Sequence, residues 1–556
     1  MTDQRILIVG GVAGGASCAA RARRLSEDAK IVIFDRGPYV SFANCGLPYY
    51  VGDVITDERK LLVADADLFA KRFNIEVRVE NEVLAIDRDA REIEVKNRKT
   101  GETYREPYDR LVLAPGAAPV RPPLPGIDHP GIFALRTIPD SRQIRDWISQ
   151  HQVQRAVVVG GGFIGLEMAE NLVHRGISVT LVEMLPQVMP PFDPEMMASV
   201  HDNLQSHSIN LQLGDAVAGF DRHSDGRLTV KTQSGQTHDA ELVILGIGVR
   251  PETTLAKNAG LELGERGGIR VNDQMQTNDP NIWAVGDAVE VRDFVTGDWT
   301  LIPLAGPANR QGRIAADAMM GRDVAFRGVQ GTSVCGIFNQ IVASTGASEK
   351  TLKRAGMPYE KIYLHPGHHV GYYPGAKPIN LKLLFSPEDG KVLGAQAVGE
   401  EGVDKRIDAI AMAIQQGATV FDLEEAELCY SPQFGAAKDP VNMAGMIAAN
   451  LLRGDAPVVH WHELSEKQSQ ENGLLVDVRE TGEFEAGHVE DATNVPLSEL
   501  RQRLEELPRD RPLWIYCQVG QRGYYATRAL RLNGFDAYNI PGGYKTYEAL
   551  EEEMGS

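Results

Sequence analysis

One pattern constrains this chain more than any other, and it occurs twice: a short Ile/Val-rich run, a tight cluster of glycines, a helical stretch, a second apolar run and then an acid. The first copy reads Arg5-Ile6-Leu7-Ile8-Val9, Gly10-Gly11-Val12-Ala13-Gly14-Gly15, a helix through Arg24, and a strand at 31–34 ending at Asp35-Arg36. The second reads Val157-Val158-Val159, Gly160-Gly161-Gly162-Phe163-Ile164-Gly165, and a strand at 178–182 ending at Glu183. Each is the text of a βαβ dinucleotide-binding unit. Glycines let the backbone approach a pyrophosphate, the helix N-terminus supplies partial positive charge, and the acid falls where ribose hydroxyls need an acceptor. Two such units imply an α/β chain built on parallel sheets.

The second copy keeps G-x-G-x-x-G intact, whereas the first has Val12 at the middle glycine. Glu183 can accept from both ribose hydroxyls and would repel a 2′-phosphate, and Met184 and Leu185 supply no arginine to receive one, so NADH is expected over NADPH. Far from the first loop, Thr277-Asn278-Asp279-Pro280-Asn281-Ile282-Trp283-Ala284-Val285-Gly286-Asp287 delivers an aspartate at a strand end, where it can hold a ribityl hydroxyl. With the first loop, this resembles the two-part FAD signature of the pyridine nucleotide-disulfide oxidoreductases. The resemblance implies Gly10, Gly11, Ala13, Gly14, Gly15, Asp35, Arg36 and Asp287 as FAD residues, and Gly160, Gly162, Gly165 and Glu183 as NADH residues.

At roughly 100–200 residues per domain, 556 residues make three or four domains. Leu111-Val112-Leu113-Ala114-Pro115-Gly116 reads as a buried strand entering a turn, and similar text returns at 242–248 and 282–286, so the first domain resumes after the second. The expected layout is an FAD-binding domain at 1–118 and 247–326, an NADH-binding domain at 119–246, an α+β dimerisation domain at 327–450, a linker around 452–457 and a small α/β module at 458–556.

Fifty-seven Lys+Arg against seventy-six Asp+Glu give a net charge of −19, which repels polyanions over most of the surface, so nucleic acids and anionic membranes are not expected partners. The start of the chain enters a strand without a signal-like segment, and no run of about 18 apolar residues occurs, so a soluble cytoplasmic protein is expected. Cys18, Cys45, Cys335, Cys429 and Cys517 lie far apart without CxxC or metal-type spacing; they read as separate thiols in a reducing compartment, with no metal site.

Cys45 stands in Ser41-Phe42-Ala43-Asn44-Cys45-Gly46-Leu47-Pro48-Tyr49, just after the first βαβ strand, without a second thiol a few residues away. Its sulfur partner must therefore come from outside, or be an oxidised oxygen species. A lone cysteine is more often a small buried hydrophobe, but Ser41, Asn44 and Gly46 make a polar, turning neighbourhood. This segment resembles the S-F-x-x-C-x-x-P-Y of coenzyme A-disulfide reductases, and the likeness runs from residue 1 to about 448. It implies that Cys45 forms a mixed disulfide with CoA, and that the protein is a homodimer in which two tyrosines from the partner subunit approach the sulfur, here Tyr430 and one of Tyr372-Tyr373, with Tyr372 favoured by spacing. It also implies CoA contacts from Ser17, Arg21, Arg24, Ser41, Asn44, the Lys71-Arg72 pair, Asn309 and Lys438. Arg21 and Arg24 are three apart on one helix and are expected to share a face. NADH oxidases and peroxidases, which cycle a lone cysteine through a sulfenic acid, share the fold but place a histidine where this chain has Ala13, so that chemistry is the alternative for Cys45.

The last hundred residues carry Leu474-Leu475-Val476-Asp477-Val478-Arg479-Glu480, Glu485-Ala486-Gly487-His488-Val489 and a strand delivering Cys517-Gln518-Val519-Gly520-Gln521-Arg522. A cysteine between a strand end and a helix N-terminus, ringed by backbone N–H groups and closed by Arg522, is an anion cradle expected to lower a thiol pKa. The module resembles a rhodanese domain, and the short loop suits a persulfide. The combined expectation is an FAD- and NADH-dependent reductase of CoA disulfide, CoA persulfide or polysulfide, with Cys517 and Arg522 relaying sulfane sulfur. A non-enzymatic persulfide carrier or sensor using Cys517 is a further alternative.

Overall fold

The structure, a computed structural model, describes residues 4–555 except the side chains of Ser465, Glu466, Ser469 and 552–555. The chain divides into two compact units, residues 4–188 with 208–329 and residues 189–207 with 330–555.

The first unit holds two five-stranded parallel sheets. In one, Arg5–Val9 lies between Lys30–Asp35 and Arg110–Leu113, with Glu76–Val79 and Ile282–Ala284 at the edges. The strand before Asp287 thus joins the sheet that carries the first glycine loop, about 270 residues earlier in sequence. Ile6, Leu7, Ile8, Val32, Ile33, Leu111 and Val112 are buried in this sheet, as the continuous apolar runs of a two-sided parallel sheet require. In the other sheet, Arg155–Val159 lies between Ser178–Val182 and Leu242–Leu245, with Asn210–Gln212 and Ile132–Phe133 at the edges. Both sheets bring their loops to the carboxyl ends of the central strands, where ligands of such folds bind.

The second unit holds a five-stranded antiparallel sheet, in the order Ser333–Ile337, Gln340–Gly346, Val392–Gly399, Ile379–Phe385, Glu360–Leu364, with the helix Val403–Gln415 against it. It also holds a four-stranded parallel sheet, in the order Thr493–Asn494, Leu474–Asp477, Leu513–Tyr516, Ala537–Asn539. Residues 189–207, which the sequence assigns to the nicotinamide domain, pack in this unit instead. The reason is ionic: Lys382, fully buried on the strand Ile379–Phe385, bonds Asp193 Oδ2 at 2.8 Å and also bonds Glu195 and Glu349. A buried ammonium needs several carboxylate partners, and two of them come from this segment. The same three carboxylates lie close enough together to hold a metal ion, and it is the Lys382 ammonium that they surround. Among the described residues, no helix is long and apolar enough to cross a membrane.

Candidate active site

The two glycine loops repeat one hydrogen-bond plan. Asp35 accepts from Gly11 N–H at 3.1 Å and from Gly37 N–H at 2.8 Å; Glu183 accepts from Gly161 N–H at 2.7 Å and from Leu185 N–H at 2.8 Å. Each acid therefore pins its loop while keeping lone pairs for a ribose diol. Gly10 and Gly160 take φ of +95° and +104°, which only glycine adopts freely, and a Cβ on Gly15 or Gly165 would sit 1.9 Å from the carbonyl of Gly10 or Gly160. The helices Ala13–Arg23 and Phe163–His174 begin without any side-chain cap, leaving their first N–H groups for an anion. A Cβ on Gly162 would meet nothing within 4 Å, so the second loop has open space over its backbone.

Burial pushes the Asp35 carboxyl pKa up, against the pull of the Gly37 and Gly11 N–H groups and of Arg36 and Arg136. Burial also raises Asp287, and no hydrogen bond from the described residues reaches its carboxylate. A half-buried carboxylate at that strand end offers an acceptor to a ribityl hydroxyl, and with the uncapped first loop the residues present fit an FAD. Arg36 faces solvent and pairs with Glu252 at 3.3 Å.

The Cys45 segment is tied to the first loop by its backbone: Ser41 N–H donates to Gly11 C=O at 2.8 Å, and Ser41 itself stands at φ +47°. Cys45 lies in the single turn Asn44–Gly46, ahead of the helix Leu47–Val51, and its side chain is exposed, as is Asn44. The surrounding protein still withholds enough water to push the thiol pKa up, and the carboxylates of Glu167 and Asp287 push it further. Glu167 is a further candidate, outside the residues to which the sequence motifs point. It sits two residues after Gly165 on the nicotinamide-loop helix, 3.5 Å from the Tyr49 hydroxyl, and burial raises its pKa to about 7. Its one legible sign is an acid in the apolar run Phe163-Ile164-Gly165-Leu166-Glu167-Met168-Ala169.

The expected CoA contacts fare unequally. Ser17 and Asn309 are brought together in a hydrogen bond between the packed helices Ala13–Arg23 and Ala305–Met319. Arg21 is not the free cation that its spacing suggests: its fork is tied to Asp317 at 2.6 and 3.0 Å and it is largely buried, so it forms no common basic face with the exposed Arg24. Lys71 pairs with Asp67 at 2.8 Å, while Arg72 is exposed.

In the second unit, the Tyr372 and Tyr430 hydroxyls hydrogen-bond each other at 2.8 Å and the residues are 74% and 48% exposed. That bond raises the Tyr372 pKa. Tyr373 instead accepts from Gln433 Nε2 at 3.1 Å. Lys438 is exposed just ahead of the helix Pro440–Leu452.

Cys517, at the end of Leu513–Tyr516, is 0% exposed and its sulfur accepts from Gly520 N–H at 3.2 Å. Gly520, at φ +90°, caps the helix Gln521–Leu532, and Tyr544 and Lys545 N–H groups hold the Cys517 and Gln518 carbonyls at 2.7 and 3.0 Å. Arg522, in the first turn of that helix, gives its fork to Glu483 at 2.6 and 2.7 Å and also reaches the Cys517 sulfur. Nothing in the sequence around Glu483 signals this pairing. Of the other thiols, Cys18 is buried with its pKa raised to about 12 by burial, Cys335 is buried, and Cys429 is exposed.

The description "Pyridine nucleotide-disulphide oxidoreductase" belongs to the family whose pattern matches residues 4–312; its dimerisation domain matches 332–439, and a rhodanese-like domain matches 460–550. A coenzyme A disulfide reductase of Staphylococcus haemolyticus (strain JCSC1435) is 36% identical over 449 residues, covering 81% of this chain and 100% of that protein. The crystal structure of reduced Bacillus anthracis CoADR-RHD is 49% identical with a TM-score of 0.97, covering 100% of this chain and 99% of its own. A structure of a NAD-dependent persulfide reductase from A. fulgidus is 34% identical with a TM-score of 0.90, covering 98% and 100%. Two dinucleotide loops, a dimerisation-type sheet and these matches agree: the chain belongs to the pyridine nucleotide-disulphide oxidoreductases, and is an oxidoreductase of that family carrying a rhodanese-like domain.

Proposed function

We propose that this protein is an FAD-dependent reductase that uses NADH to reduce CoA disulfide, CoA persulfide or a related polysulfide, with a rhodanese module that relays sulfane sulfur. The observation that carries the reading is the exposed Cys45 thiol in a segment whose Ser41 N–H is hydrogen-bonded to the first dinucleotide loop, without a second cysteine in that segment. When bound, FAD supplies the electron pair that it takes from NADH to a sulfur at Cys45. Glu183 and its loop hold the NADH ribose. Cys45 Sγ attacks a sulfur of the substrate, forms a mixed disulfide with CoA, and releases a thiolate, or sulfide when the substrate is a persulfide. In a homodimer, the Tyr372 and Tyr430 hydroxyl pair of a second copy would donate the proton that the leaving thiolate needs. Ser17, Arg24, Lys71, Arg72, Asn309 and Lys438 would meet the nucleotide end of CoA, with Arg21 held against Asp317 beside them. Glu167, with its carboxyl near 7, is suited to hold a proton beside Cys45.

The test is to reduce the protein with NADH and follow flavin reoxidation by CoA disulfide, CoA persulfide and hydrogen peroxide. Fast reoxidation by a CoA substrate that vanishes in Cys45→Ser supports the reading. Peroxide turnover that rivals it would move the assignment to sulfenic-acid chemistry at the same cysteine.

A further inference from the structure

We propose, resting on the reading of the last hundred residues as a sulfur-loading module, that Glu483 selects the sulfur donor: by holding Arg522 it fits the Cys517 loop to thiol-borne persulfides and against doubly charged inorganic donors such as thiosulfate. Arg522 is the cation that the loop would turn toward an anionic donor, and both of its terminal nitrogens donate to Glu483, at 2.6 and 2.7 Å. A bidentate pair of this kind is the strongest form of guanidinium–carboxylate contact. Glu483 is itself fixed, because it accepts Glu480 N–H at 3.1 Å as the return half of the capping box on the helix Thr481–Ala486. The second guanidinium at the loop is also engaged. Arg479 gives Nε to both Asp477 oxygens at 2.9 and 3.1 Å, and reaches Gln518 Oε1 at 3.1 Å and Gly487 C=O at 2.6 Å. Lys545 borders the loop through its backbone N–H, which donates to the Gln518 carbonyl at 3.0 Å.

The sulfur therefore sits among backbone N–H donors beside Arg522, a cation that reaches it but whose two terminal nitrogens also donate to Glu483, so its charge is shared with a carboxylate. A dianion would have to displace a preorganised carboxylate and face its charge, whereas the reacting end of a persulfide carries at most one negative charge, and none in the protonated form R–S–SH that reacts. Loading then runs as follows: the Cys517 thiolate attacks the outer sulfur of R–S–SH, a bond forms between Sγ and that sulfur, the S–S bond of the donor breaks, and R–S⁻ leaves with the electron pair. The outer sulfur keeps its proton, so Cys517–S–SH and R–S⁻ account for every atom and charge.

The experiment follows the gain of one sulfur atom at Cys517 by peptide mass in the full-length protein, with a small alkyl persulfide or thiosulfate as donor. Wild-type protein should load from the persulfide, and from thiosulfate at least about tenfold more slowly. Glu483→Gln keeps an acceptor for the capping box but removes the charge. It should speed thiosulfate loading about tenfold, through a lower half-saturating concentration and not a higher maximal rate, while persulfide loading changes by less than about threefold. Glu483→Asp should behave as wild type, and adding Arg522→Gln to Glu483→Gln should erase the gain. Equal effects on both donors, an unchanged thiosulfate rate in Glu483→Gln, or wild-type loading as fast from thiosulfate as from persulfide would overturn the proposal. Failure of wild-type Cys517 to take sulfur from the persulfide would instead overturn the reading of the module as a sulfur loader.

Discussion

Cys45 and Cys517 each follow a strand of a parallel sheet, yet their surroundings oppose one another. Cys45 is exposed on a short turn, with the carboxylates of Glu167 and Asp287 raising its pKa. Cys517 is fully buried, its sulfur is met by the Gly520 N–H, and a helix N-terminus stands behind it. The open thiol can be reached by a large substrate and by a redox cofactor, but needs help to ionise. The closed thiol has a backbone N–H on its sulfur and no exposed surface, so only a small reacting end could reach it. On the proposed function, the difference teaches that exchange and storage of sulfur ask for contrary environments, which one cysteine could not provide.

The comparison breaks most completely at Cys45. Cys45→Ser should still let NADH bleach the flavin in a stopped-flow experiment, but should lower turnover of CoA disulfide or CoA persulfide by about 10³-fold or more, since the hydroxyl is a far weaker nucleophile at sulfur. Cys517→Ser should do the reverse: preformed small CoA substrates turn over within about twofold of wild type, while turnover from a donor that must first load the module collapses. Equal loss on both kinds of substrate in Cys517→Ser would mean that the buried thiol takes part in the reductive cycle itself.

A subtler separation alters what feeds only one thiol. Glu183→Ala with Met184→Arg should shift the kcat/KM ratio of NADPH to NADH by roughly a hundredfold, as a repulsion is removed and a cation supplied, each worth about 1.4 kcal/mol. Loading of Cys517 should not change. The buried position of Glu183 and its two backbone donors make this the site where a charge change is felt most directly.

These residues were legible in the sequence because their spacing is imposed by the backbone: a Cβ at Gly15 or Gly165 cannot be tolerated, and a strand of fixed length leads from each loop to its acid. The same holds for the Cys517 loop, where Gly520 supplies both a turn and a donor. What was not legible depends on partners distant in sequence. Arg21 looks like half of a basic face until Asp317, 296 residues on, takes its fork. Residues 189–207 read as part of the nicotinamide domain until Lys382 claims Asp193 and Glu195. Glu167 and Glu483 lie on helices whose periodicity reports only which side is apolar, and a single acid there does not announce the thiol or guanidinium it will meet.

The smallest expected effect tests the electrostatic half of the contrast. Glu167 is one of the charges that hold the Cys45 thiol up, after burial itself, and its own carboxyl ionises only near pH 7. Below that pH it is protonated and exerts little force on the thiol; as the pH rises through 7 it becomes negative and makes the thiolate harder to form. In wild-type protein, alkylation of Cys45 by a neutral reagent should therefore rise with pH less steeply than a single titration demands, because the ionisation that precedes it works against it. Glu167→Gln removes that opposition while keeping a side chain of the same size near Tyr49. The alkylation profile should then steepen to one titration and move about half a pH unit lower. A Cys45 profile unmoved by Glu167→Gln would show that burial alone sets this thiol, and the contrast between the two cysteines would reduce to access.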